Sequence, residues 1–157
     1  MPQATLAAAI PPGASLVVDT SVALAYLTGT EPTSALATEL FDAFVATGRN
    51  AAALSVITVQ EILVRPFRGG PAAVATAEGF LRHFAEIRLV EVSYDIAREA
   101  ARIRAISGIR APDALIIATA LFTGADILVT NDRSWLLRPE VIAPGLAVLL
   151  LTDLVQG

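Results

Sequence analysis

The sequence contains no cysteine, no lysine and a single histidine, His83, among 157 residues. Without cysteine there is no disulfide framework, no thiolate zinc site and no thiol nucleophile. One histidine argues against a histidine-rich metal site and against a Ser-His-Asp triad. Every one of the 11 basic residues is Arg, which excludes a Walker A loop, a Schiff-base enzyme and a receiver-type phospho-acceptor domain, each of which needs Lys. Long apolar runs are also missing. The uncharged opening, Met1 to Val18, is broken by Pro11-Pro12-Gly13 and lacks the basic start of a signal peptide. The uncharged stretches Ala114 to Ala125 and Val141 to Thr152 fall short of the ~20 apolar residues a membrane helix requires. A soluble, cytoplasmic protein without a membrane segment is expected. The net charge of −4 argues against coating nucleic acid non-specifically, because that mode neutralises many phosphates at once. An acidic site that works through metal cations stays open.

What is present is aliphatic. Hydrophobic residues make up 55% of the chain and the mean hydropathy is +0.65, the balance of one globular domain with a large core. Residues 1–14 read as an irregular arm, and residues 15–157 as a single domain with no repeat or linker. Ser15 to Val18 is a short apolar run suited to a buried parallel strand. Helical periodicity covers Ser21 to Leu27 and Pro32 to Thr47. A strand over Ala53 to Val56 precedes a helix over Thr58 to Val64. Gly69-Gly70-Pro71 opens a long helix to about Glu86, and Arg88 to Val92 reads as a third strand. Helices over Tyr94 to Ser107 and Pro112 to Phe122 follow, with last strands at Ile127 to Thr130 and Leu146 to Leu151. Five strands separated by helices predict an α/β fold in three α/β/α layers around a parallel sheet. Ligand sites of such sheets lie outside the carboxyl ends of the strands, near the switch in strand order.

Acids stand at those ends. Asp19 follows the first strand, Glu61 lies five residues past the second, Asp132 follows the fourth, and Asp113 sits just inside the helix opened by Pro112. Each has an ordinary structural alternative. Asp19, Thr20 or Ser21 could cap a helix, Thr58-x-x-Glu61 has the form of a capping box, Asp113 suits a helix dipole, and Asp132 suits a turn. Gathered at one edge, however, bare carboxylates ~5 Å apart would repel by on the order of 3 kcal/mol per pair at an effective dielectric of ~20. Protons or cations must offset that, and an all-oxygen ligand set suits Mg²⁺ or Mn²⁺ rather than zinc. Such a site suits phosphate-ester chemistry. Asp126 precedes the fourth strand and belongs at the opposite edge. Asp153 follows the last strand, at the sheet's edge. His83 and Trp135 are expected to serve packing or surface roles.

The four acids stand in Val17-Val18-Asp19-Thr20-Ser21-Val22, in Ser55-x-x-Thr58-x-x-Glu61, in Pro112-Asp113-Ala114-Leu115-Ile116-Ile117-Ala118-Thr119-Ala120, and in Gly124-Ala125-Asp126-Ile127-Leu128-Val129-Thr130-Asn131-Asp132. In this order and spacing the chain resembles the PIN-domain ribonucleases, and most closely the VapC toxins of type II toxin–antitoxin systems, from about Ser15 to Leu151. The resemblance implies a metal-dependent endoribonuclease using Mg²⁺ or Mn²⁺, with Asp19, Glu61, Asp113 and Asp132 as catalytic, metal-binding acids. Thr20, Ser21, Thr130 and Asn131 support them. It also implies a homodimer, an RNA substrate and a cognate antitoxin whose C-terminal segment covers the site. Residues 1–14 lie outside the family pattern. Some relatives carry a further acid shortly after the fourth; here Arg133, Ser134 and Trp135 follow Asp132, so no further acid carries over.

Three other functions share part of this pattern. A phosphatase of the haloacid dehalogenase type would need a second Asp two residues after the first, where Ser21 stands, and normally a Lys. A non-catalytic module of the same fold would lack an acid, and none of the four is missing. An RNA-processing nuclease without an antitoxin shares every residue above. Arg65, Arg68, Arg110 and Arg133 lie near the expected site and are candidate RNA phosphate contacts.

Overall fold

The computed structural model describes residues 4–137 and 146–155. Five parallel strands, β1 (Leu16–Val18), β2 (Ala52–Ser55), β3 (Ile87–Val90), β4 (Ile127–Thr130) and β5 (Ala147–Leu150), form one sheet in the order β3-β2-β1-β4-β5. The chain leaves β1 towards β2 and β3, then crosses over to β4 and β5. The strand order therefore reverses beside β1, between it and β4.

Among the described residues seven α-helices cover the two faces: α1 (Leu6–Ala9), α2 (Thr20–Thr28), α3 (Ser34–Thr38), α4 (Ile57–Gly69), α5 (Pro71–His83), α6 (Tyr94–Ser107) and α7 (Ala111–Thr123). Side chains alternate through the strands and feed two separate cores. Leu16, Val18, Leu54 and Val129 pack with α1 to α5. Val17, Ala53 and Leu128 pack with α6, α7 and the fully buried Trp135. This is the three-layer α/β/α arrangement expected from strand and helix periodicity. No helix among the described residues is long and apolar enough to cross a membrane; residues 141–145 of the last uncharged stretch lie outside them.

Several local expectations are corrected. The Pro32–Thr47 helix is α3 continued by a π-helical segment, Glu39–Val45, closed by Ala46 N–H to Phe41 O at 2.8 Å. Helix α4 runs past Pro66 to Gly69, since proline removes one backbone donor without reversing the chain. Helix α5 ends at His83, and Glu86 turns into β3 with φ of 64°. The segment read as an irregular arm is anchored. Thr5 caps α1 by accepting the Ala8 N–H, and Leu6 and Ile10 are 1% and 0% exposed. Arg49 donates to Ile10 O at 2.8 Å, and Asn50 Nδ2 donates to Pro11 O and Ala14 O, both at 2.9 Å. Residues 1–3 of that arm lie outside the described residues.

Candidate active site

Asp19 begins where β1 ends. Its N–H continues the ladder to Val129 O at 2.9 Å, which fixes its backbone beside β4. It occupies the N-cap of α2, yet its side chain makes no cap bond. Instead Oδ2 accepts from Ser21 Oγ at 2.7 Å and from Thr130 Oγ1 at 2.8 Å. The residue is 5% exposed. Burial raises its pKa from 3.8 to about 6; the Ser21 and Thr130 hydrogen bonds oppose that rise, and the charges of Asp113 and Glu61 add to it. A helix cap alone would not need that cost.

Glu61 reaches the same place from α4. Its carboxylate accepts from Thr20 Oγ1 at 3.2 Å. Its pKa is raised, first by burial and then by Asp113, against the Thr20 bond and the Arg110 charge. Asp113 projects from the first turn of α7 and is 9% exposed. Burial raises its pKa too; Arg110 opposes, and Asp132 adds to the rise. Arg110 Nε stands 3.3 Å from Asp113 Oδ2 with its own side chain 76% exposed. The buried indole N–H of Trp135 makes no hydrogen bond of ordinary geometry among the described residues, but it faces Asp113 and favours its ionised form.

Asp132 completes the group from the β4 exit. Its N–H donates to Thr130 Oγ1 at 3.0 Å, and its Oδ1 accepts from Ser134 N–H at 2.9 Å and Ser134 Oγ at 2.6 Å. Asn131 braces the floor: its N–H donates to Ser21 Oγ, and its Nδ2 to Ser21 O and to the buried Thr33. The four acids from β1, α4, α7 and β4 thus share one electrostatic field, with Ser21, Thr20 and Thr130 as its hydroxyl supports. Asp126 sits at the opposite edge, accepting from Ser15 N–H at 2.9 Å.

The basic residues divide. Arg110 lies in the acidic group. Arg65 lines a groove of about 700 Å³ with Leu24, Leu27, Glu61, Ile62 and Ala77. Arg68 is exposed in the last turn of α4. Arg133, another candidate phosphate contact, is ion-paired with Asp153 across the surface. Thr58, Thr33 and Trp135 were not singled out for the site by spacing. Thr58 was masked by its capping-box pattern: Val56 is the N-cap, Ser55 Oγ accepts the Ile57 N–H, and the Thr58 hydroxyl lies 2.9 Å from Thr20 Oγ1.

Among the described residues no three acidic or histidine side chains close on one point tightly enough to cage a cation. The donor set still fits Mg²⁺, which keeps several waters and is held by one or two carboxylates plus substrate phosphates. Three carboxyls with raised pKa values and one exposed guanidinium leave the negative charge under-compensated, which is the condition a hard cation relieves.

The PIN domain family model matches residues 16–139. The chain belongs to the PIN domain family. No curated protein matches the sequence at a significant level. Among solved structures, VapBC2 from Rickettsia felis, bound to a promoter DNA fragment, is 17% identical with a TM-score of 0.63, covering 87% of this chain and 98% of that one. DNA-bound VapBC from Salmonella typhimurium is 17% identical with a TM-score of 0.61, covering 88% and 98%. Mycobacterium tuberculosis VapC20, a toxin that cleaves the sarcin-ricin loop, is 20% identical with a TM-score of 0.59, covering 72% and 86%. At these identities the likeness is one of fold. The anchored segment before residue 16 and strand β5 both lie outside the residues that the family model matches.

Proposed function

We propose that this PIN domain is a metal-dependent endoribonuclease and the toxin of a toxin–antitoxin pair. The observation that carries the reading is the buried Asp19 carboxyl, held by two hydroxyls beside Glu61 and Asp113 at the switch in strand order, with a pKa of about 6. Asp19, Glu61, Asp113 and Asp132 are the residues that would hold Mg²⁺ or Mn²⁺. When bound, that ion supplies Lewis-acid stabilisation of a phosphodiester and activation of water. The protein's own part is to keep Asp19 ionised and oriented through Ser21 and Thr130, to aim Glu61 through Thr20, and to offer Arg110 to a phosphate.

The groove beside Glu61, walled by Leu24, Leu27, Ile62 and Ala77, supports a partner whose apolar segment lies there while a cation enters the acidic group. An arginine is the suitable cation, since its planar fork can meet two carboxylate oxygens at once. That partner is the proposed antitoxin, and the toxin is proposed to work as a homodimer. The test is RNA cleavage by the purified chain with Mg²⁺, Mn²⁺ or EDTA, followed by mapping of the cleaved ends. Internal cuts that require the ion support the reading; chelator-resistant cutting, or none, counts against it.

A further inference from the structure

We infer that Thr58 is a positioning residue for Glu61, acting through the hydroxyl of Thr20; the inference rests on the nuclease reading of the acidic group. The two hydroxyls lie 2.9 Å apart, joining α4 to α2. Both residues are buried, Thr20 at 3% and Thr58 at 0% exposure. Thr20 Oγ1 also stands 3.2 Å from Glu61 Oε1. Each hydroxyl carries one proton, and an ionised carboxylate can only accept. Thr20 therefore directs its proton to Glu61, and Thr58 must be the donor between the two threonines. Valence fixes the order Thr58 to Thr20 to Glu61.

Thr58 has no competing duty on its own helix. Val56 is the N-cap of α4, and Ser55 Oγ accepts the Ile57 N–H at 3.3 Å. A valine of nearly the same shape would fill the position, so what the threonine adds is a donor. Thr58 and Glu61 share one face of α4, three residues apart, while Thr20 opens α2 directly after Asp19. The hydroxyl pair thus ties the start of α2 to α4 and sets where Glu61 stands relative to Asp19. Removing the donor leaves the Thr20 oxygen short of a partner inside the protein, which weakens its hold on the carboxylate.

The experiment compares Thr58→Val, Thr58→Ser and Glu61→Gln by thermal melting, Mg²⁺ calorimetry and RNA cleavage. Thr58→Val is expected to melt cooperatively, to bind Mg²⁺ about fivefold more weakly, the worth of one hydrogen bond, and to lose kcat while KM for RNA holds. Thr58→Ser restores both. Thr58→Ala is the second hydroxyl-free variant if valine prevents folding. A hydroxyl-free variant with wild-type Mg²⁺ affinity and kcat overturns the inference, as does a serine variant as impaired as valine. Glu61→Gln separates the two levels. If it binds Mg²⁺ and cleaves like the wild type, the acidic-site reading fails; if it is inactive while Thr58→Val is normal, only the positioning role fails.

Discussion

The Thr130 hydroxyl donates to Asp19 Oδ2 at 2.8 Å while accepting the Asp132 N–H at 3.0 Å. One fully buried side chain at the end of β4 therefore ties the acid that follows β1 to the acid that follows β4. The tie sits at the crevice where strand order reverses, so a change at Thr130 reaches both acids.

The raised Asp19 pKa sets a pH dependence of stability. Between pH 4 and 6 the native carboxyl is protonated while the unfolded one, near 3.8, is ionised. The native state then binds more protons, so stability falls as pH rises through about 6. The pKa difference corresponds to on the order of 3 kcal/mol between pH 4 and pH 7, and Glu61 and Asp113 shift in the same direction. Asp19→Asn should be more stable than the wild type at pH 7 and show a flatter profile in urea denaturation. A mutant whose stability tracks the wild type in parallel from pH 4 to 7 would contradict the burial of an uncompensated Asp19 charge.

Arg110 is the one cation paired within the acidic group among the described residues. Arg110→Gln should let Mg²⁺ bind up to about fivefold more tightly, because an exposed ion pair contributes ~0–1 kcal/mol. The same change should weaken RNA binding and reduce the salt slope by about one. Calorimetry and binding at several salt concentrations check both; movement of the two affinities in the same direction would exclude the competing-cation role.

Ile10 lies fully buried ahead of the family pattern. Ile10→Ala should cost about 2–5 kcal/mol, the range for a large-to-small change in a packed core. Denaturant midpoints measure it. A loss of less than about 0.5 kcal/mol would mean that the segment rests on the domain without supporting it.

The five strands were legible because each is a short apolar run between helical periods. Asp19, Glu61 and Asp132 could be placed at the carboxyl edge because each follows such a run by one to five residues, whereas Asp113 opens a helix that follows another helix. Other features were hidden by residue patterns with two meanings. Thr58-x-x-Glu61 imitates a capping box, and only the approach of α2 shows where its hydroxyl goes. Residues 1–14 read as irregular because of their prolines, although Leu6 and Ile10, four residues apart, share the buried side of one helical turn. The Arg133 ion pair was hidden because its partner, Asp153, arrives from beyond β5. Tertiary contacts decided each of these, and none is a property of local spacing.

The most direct test of the central claim is RNA cleavage by Asp19→Asn beside the wild type, in Mg²⁺, with folding checked by melting. The substitution keeps the shape and the chance to bond Ser21 and Thr130 while removing the charge. The account predicts a folded protein whose cleavage falls roughly 10²-fold or more. A folded Asp19→Asn protein that cleaves RNA at the wild-type rate would contradict it.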